Sequence, residues 1–225
     1  MKGLLIKDLK ILAKQKKSMA FVLLFLGLCA FAGDDATFSA TYTVVVLSML
    51  TLNTISYDEK DGGMLFLLSL PANRKTYVKE KYIFAFINLL FSIVLAFALG
   101  YVPAIVKHTN PELGSFVMSI MAIMFMMGMG LAMAIPLDLK LGAEKGRMFV
   151  ILAVAGMFLI TVTGYKILKD VLYIDVLGEL TKLLSGVKSE AVLNGIIIGG
   201  LLVLTVVVLF CSYLIANRVM RKKEF

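Results

Sequence analysis

Residues 83–106, IFAFINLLFSIVLAFALGYVPAIV, run for 24 positions without a charged side chain. A helix of that length rises about 36 Å, enough to cross the ~30 Å hydrocarbon core of a bilayer. The stretch therefore reads as a membrane-spanning helix. The composition extends this reading to the rest of the chain: 60% of the 225 residues are hydrophobic, only 17% are charged, and the mean hydropathy is +0.93. No soluble core of this size needs so much apolar surface, so lipid is the solvent for most of the chain.

Comparable apolar segments occupy residues 18–33, 38–56, 113–135, 148–165 and 192–216, the first being the shortest. With 83–106 they predict an all-α integral membrane protein of six transmembrane helices in one domain, 1–225. An even number of spans places both termini on one side. The connections on that side (1–17, 57–82, 136–147 and 217–225) hold 18 of the 23 Lys and Arg, and the opposite connections hold 5. The positive-inside rule then puts both termini and the 57–82 loop in the cytoplasm of a multi-pass cell-membrane protein. The net charge of +8 follows from this bias and calls for no nucleic-acid partner.

Before the first span, residues 1–17 (MKGLLIKDLKILAKQKK) form a basic amphipathic pattern. Met1, Leu5, Leu9, Leu12 and Ala13 share one side at helical spacing, and Lys7, Lys10, Lys14 and Lys17 gather on the other. This predicts an interfacial helix drawn to anionic lipid. Ala30-Phe31-Ala32 imitates a signal-peptidase site, but the long leading region with its acidic Asp8 speaks against cleavage. In the outer segment 166–191, Leu168, Leu172, Leu180, Leu184 and Val187 recur at helical spacing, which predicts a short amphipathic helix on the outer surface.

The chemistry is as informative for what it lacks. No Asp, Glu, Lys or Arg falls within the six apolar segments, where proton- and ion-coupled carriers place their coupling groups. The polar residues at depth are uncharged: Asn53, Asn88, Asn194, Thr51, Thr161 and Thr205. His108 stands alone in an outer loop, so no metal site is expected, and no phosphate-loop motif is present to bind ATP. Catalytic residues are not expected on this chain. Cys29 and Cys211 lie in apolar runs and read as small buried hydrophobes.

Residues 113–135 hold half of the 14 methionines. Ordinary helix packing accounts for such a row, and an adaptable wall for a hydrophobic substrate is the alternative. On that alternative Met121, Met124 and Met127, with Asn53, are candidates for a substrate path. Ala191, Gly195 and Gly199 form a small-xxx-small row suited to close helix approach, within one subunit or between two.

The exception to this apolar character is the stretch on the N-terminal side of the opening span, residues 57–82, YDEKDGGMLFLLSLPANRKTYVKEKY. Gly62-Gly63 permits a sharp change of direction. Residues 64–70 are apolar nearly all round and need either headgroups or a partner to cover them. Pro71 ends that short helix, and Arg74, Lys75, Lys79 and Lys81 lead back to the membrane.

From Asp58 to Lys75 the run D-E-K-x-G-x-x-x-x-L-L-S-L-P-x-x-R-K resembles the intracellular loop after the second span of ATP-binding-cassette type-2 permeases. It is similar to the small permeases of the phenol-soluble-modulin exporter group in particular. The order of elements fits along essentially the whole chain. The resemblance implies a cytoplasmic coupling helix between spans 2 and 3 that docks into a separate ATPase subunit. The contact would be carried by Asp58, Glu59 and Gly62 at its start, then by Leu67, Leu68, Pro71 and Arg74. Leu65 or Phe66 stands where many members of the wider family have Glu.

It further implies a permease subunit of an ATP-driven exporter, paired with a second copy or a sister permease. The cargo would be an amphipathic or hydrophobic peptide (antimicrobial peptides included), drug or lipid. ATP and Mg would be bound by the partner ATPase, and no cofactor by this chain. Two rivals stand beside this reading: a stand-alone secondary carrier, and a non-transporting membrane anchor for a cytoplasmic partner.

Overall fold

The computed structural model describes residues 2–32, 36–59, 74–108, 112–142, 145–146, 148–149, 152 and 190–222. All the long elements among them are helices: α1 (Lys2–Lys14), α2 (Lys16–Ala32), α3 (Ala36–Glu59), α4 (Arg74–Val106), α5 (Leu113–Leu141) and α6 (Glu190–Lys222). Four are long and apolar enough to cross a membrane, namely α3, α4, α5 and α6. The pair α1 and α2, bent by 63° where the chain passes Gln15, makes a fifth candidate if counted as one span. The expected span at 148–165, the coupling helix at 64–70 and the outer segment 166–191 lie essentially outside the described residues, which include only a few positions at the edges of these ranges.

Among the described helices α3 is the most central. It packs most extensively on α4 and also on α5, while α5 and α6 form the second close pair. More than half of the apolar window of α3 is buried, against 11% for α6. Val44, Leu47 and Ile55 of α3, Leu89 of α4 and Ile120, Met124 and Leu131 of α5 are at most 1% exposed. Inside lipid there is little hydrophobic force to join helices, so close packing and interhelical hydrogen bonds carry the association. The α3–α4 seam fits this: Asn88 donates its amide to Leu47 O (2.6 Å) and Thr51 Oγ1 (3.2 Å). Between α5 and α6, Gly128 lets the backbones approach so closely that an added Cβ would stand 2.7 Å from Thr205 Cγ2.

Two helices run through prolines, and each uses a neighbour to do so. Pro136 has no N–H for the carbonyl of Ala132, four residues back, and Pro103 has none for Leu99. Ser212 of α6 donates its hydroxyl to Ala132 O, and Ser39 of α3 donates to Leu99 O at 3.4 Å. In a bilayer, where no water can serve, such substitutes keep a helix continuous. Because the Ser212 proton is spent on Ala132, the Tyr82 hydroxyl is the donor in its 2.5 Å contact with Ser212 Oγ. One chain of bonds thus links α4, α6 and α5.

The helix bounds differ from the apolar segments at one end. α4 starts at Arg74, nine residues before 83, and α5 continues to Leu141 instead of stopping at 135. Helices of 33 and 29 residues rise about 50 and 44 Å. They therefore overhang a ~30 Å core, and the overhang is where the charged residues are.

Candidate functional site

The helix ends that flank residues 60–73 carry two matched pairs of residues. Thr54 and Asp58, four apart, share a face near the end of α3, and Tyr77 and Lys81, also four apart, share a face near the start of α4. Side chains four apart on a helix stand one above the other, so the two faces meet as a polar patch. α1 crosses this patch and adds Lys7 and Asp8.

Lys81 is the hub. Its ammonium, wholly shielded from solvent, lies 2.5 Å from Asp8 Oδ2, 2.8 Å from Asp58 Oδ2 and 3.2 Å from Thr54 Oγ1. Tyr77 donates its hydroxyl to Asp58 Oδ2 at 3.0 Å, and its ring centroid is 5.4 Å from the ammonium. Lys7, partly exposed, pairs with Asp58 Oδ1 and lies 3.1 Å from Asp8 Oδ1. Glu80, also buried, stands farther off, with Oε2 3.9 Å from Lys81 Nζ. At the rim, Gln15 Nε2 donates to Tyr57 OH at 2.9 Å.

Burying an ion costs several kcal/mol, and only good geometry with several partners offsets it. Here three segments supply those partners, so the cluster fixes their positions relative to one another. It is a clamp on the N-terminal helix and on both stems of the loop.

The residues expected to contact an ATPase are distributed accordingly. Asp58 does not project from the loop: α3 runs on to Glu59, and its last turn directs Asp58 inward to Lys81 and Lys7. Glu59 reaches the turn that closes α5, where Gly142 (φ 88°) leaves no room for a Cβ; one placed there would meet Glu59 Oε1 at 2.7 Å. Arg74, the first residue of α4, donates Nη1 to Met220 O of α6 at 3.3 Å. The three described members therefore reach α1 and α4, the end of α5, and the end of α6. Gly62, Leu67, Leu68 and Pro71 lie outside the described residues.

The candidate path residues are less concentrated. Met124 is buried in the core, and Met121 and Met127 pack against it. Asn53 is half-buried on α3. Met126 of the same methionine row points away from the core and is 64% exposed.

Reading the sequence as spans and loops passes over Lys7, Asp8, Thr54, Tyr77, Glu80 and Lys81. Two signals point to them: Asp8 is the lone acid among six lysines in the first 17 residues, and the pairs 54/58 and 77/81 flank one loop at helical spacing. Among the described residues no group of three His, Cys, Asp or Glu is placed to hold a metal ion, and Cys29 and Cys211 are free thiols.

A bundle of long apolar helices, clamped at one end by buried ions, defines a multi-pass membrane protein. Over residues 3–221 the chain matches the model of the ABC-2 family transporter proteins, and it belongs to that family. No curated protein and no solved structure gives a match.

Proposed function

We propose that this chain is the permease subunit of an ATP-driven exporter, of the kind formed by small type-2 permeases such as the phenol-soluble-modulin exporters. Six spans per chain, joined to a second copy or a sister permease, enclose a path for an amphipathic or hydrophobic substrate (peptide, drug or lipid). Both termini and the 57–82 segment face the cytoplasm. Separate ATPase subunits, holding ATP and Mg, dock there against Leu67 and Leu68. Their closure moves the loop and, through it, the spans.

Family membership supports the permease role. The observation that carries the coupling is the ion cluster: Lys81 joins the end of α3, the start of α4 and α1 in one buried group. A push on the loop is then received by three helices as a unit and is not lost in a flexible hinge.

The test is the double substitution Leu67→Asp and Leu68→Asp. It should detach the ATPase and abolish export from cells while the chain stays in the membrane. Full co-purification of the ATPase with that variant would overturn the coupling reading. Substrate movement by the purified chain alone in vesicles would overturn the dependence on ATP.

A further inference from the structure

A cavity of about 620 Å³ lies between the loop-side ends of α5 and α6, lined by Lys140 of α5 and by Ile215, Arg218, Val219, Arg221 and Lys222 of α6. The volume is within the ~300–1,000 Å³ usual for small-molecule sites. Among the described residues that line it, four of six are cationic and none is acidic. All four cations are solvent-exposed on their outer faces, so a ligand can reach them.

The cavity continues into an apolar surface. Residues 215, 218, 219 and 222 fall at i, i+3, i+4 and i+7, one stripe of α6. Followed in the other direction, the same stripe passes Cys211, Val207 and Leu204, each exposed and uncharged. From Ile215 to Leu204 the helix rises about 16 Å, close to half of a ~30 Å hydrocarbon core. The stripe is therefore apolar over the depth of one leaflet and cationic where that leaflet ends.

We infer that this cavity is a binding site for an anionic phospholipid, its phosphate held by Lys140, Arg218, Arg221 and Lys222 and an acyl chain lying along Ile215, Val207 and Leu204. Arginine forks and lysine ammonium groups match phosphate oxygens, and basic pockets between membrane helices favour anionic headgroups. The apolar continuation selects a lipid over a free phosphate or an acidic protein segment, neither of which has an acyl chain to cover it. The site adjoins the loop stem, because Arg74 holds the carbonyl of Met220 within the same turns of α6. An occupied cavity would fix the end of α6 against α5.

The experiment uses the full-length chain in detergent and in nanodiscs. Native mass spectrometry counts retained phosphatidylglycerol against phosphatidylcholine, and thermal unfolding is followed with each lipid. The wild-type chain should retain one phosphatidylglycerol and unfold at a higher temperature in its presence. Neutralising a surface cation lowers membrane-anion affinity about fivefold, so Arg218→Gln with Arg221→Gln and Lys222→Gln should weaken retention on the order of a hundredfold. Lys140→Gln, on the other helix, should weaken it about fivefold. A control with Lys75→Gln, Lys79→Gln and Lys107→Gln removes equal charge elsewhere and should retain the lipid.

Equal loss in the control would reduce the effect to net charge and overturn the site. Equal stabilisation by inorganic phosphate alone would make it a free-phosphate site and overturn the lipid assignment. If the cavity variant keeps its lipid but loses a protein partner, the surface belongs to that partner and the assignment also falls.

Discussion

Lys81 can be neutralised alone or together with its partners, and the two experiments have opposite expected outcomes. Lys81→Met leaves Asp8 and Asp58 facing each other in a closed site with only the peripheral Lys7 between them. Removing one partner from a buried ion pair costs about 3–5 kcal/mol, because the remaining charge stays desolvated. Replacing the whole set by neutral groups of similar shape is often close to neutral. Lys81→Met should therefore unfold at a much lower temperature in nanodiscs, and the triple variant with Asp8→Asn and Asp58→Asn should recover most of the loss. Equal stability of Lys81→Met and wild type would mean that the cluster is no clamp. The sequence shows Lys81 only as one cation in a basic loop. Its partner Asp8 is 73 positions away, and no local pattern joins two residues across that distance.

Among the helices the four long apolar spans α3 to α6 were legible because lipid imposes a length and forbids charge, and 83–106 obeys both rules. The overhangs were not. At the start of α4 the charged residues 79–81 mimic a loop, yet Lys81 and Glu80 face inward and the helix continues through them. At Pro136 a stop is the natural expectation, and only the contact from Ser212 shows why the helix persists. That contact makes a prediction. Ser212→Ala orphans the Ala132 carbonyl and should cost about 1–3 kcal/mol. Adding Pro136→Ala supplies the missing N–H and should restore the part due to Ala132, while Tyr82→Phe should remove the part due to the stranded tyrosine hydroxyl. Thermal unfolding of the single, double and triple variants separates these contributions. A Ser212→Ala chain that gains nothing from Pro136→Ala would rule out the proposed repair of α5.

For the whole molecule, the uneven burial of the helices gives a picture of which surfaces meet lipid. α3 is enclosed and α6 is peripheral, with Phe210 59% exposed. α4 divides within itself: Phe84 is 4% exposed, and Phe91, two turns on, is 53% exposed. The chain has no tryptophan, so a single Phe→Trp substitution creates a fluorophore without background. In bilayers of phospholipids brominated at several chain depths, Trp fluorescence at positions 210 and 91 should be strongly quenched at one of those depths. Positions 84 and 116, both buried, should be quenched weakly at every depth. Strong quenching at 84 and 116 would refute the packing. Shielding at 210 alone would show a further protein surface covering α6 in the membrane, and dilution of the chain into excess lipid would then tell a second copy, which dissociates, from a segment of the same chain, which does not.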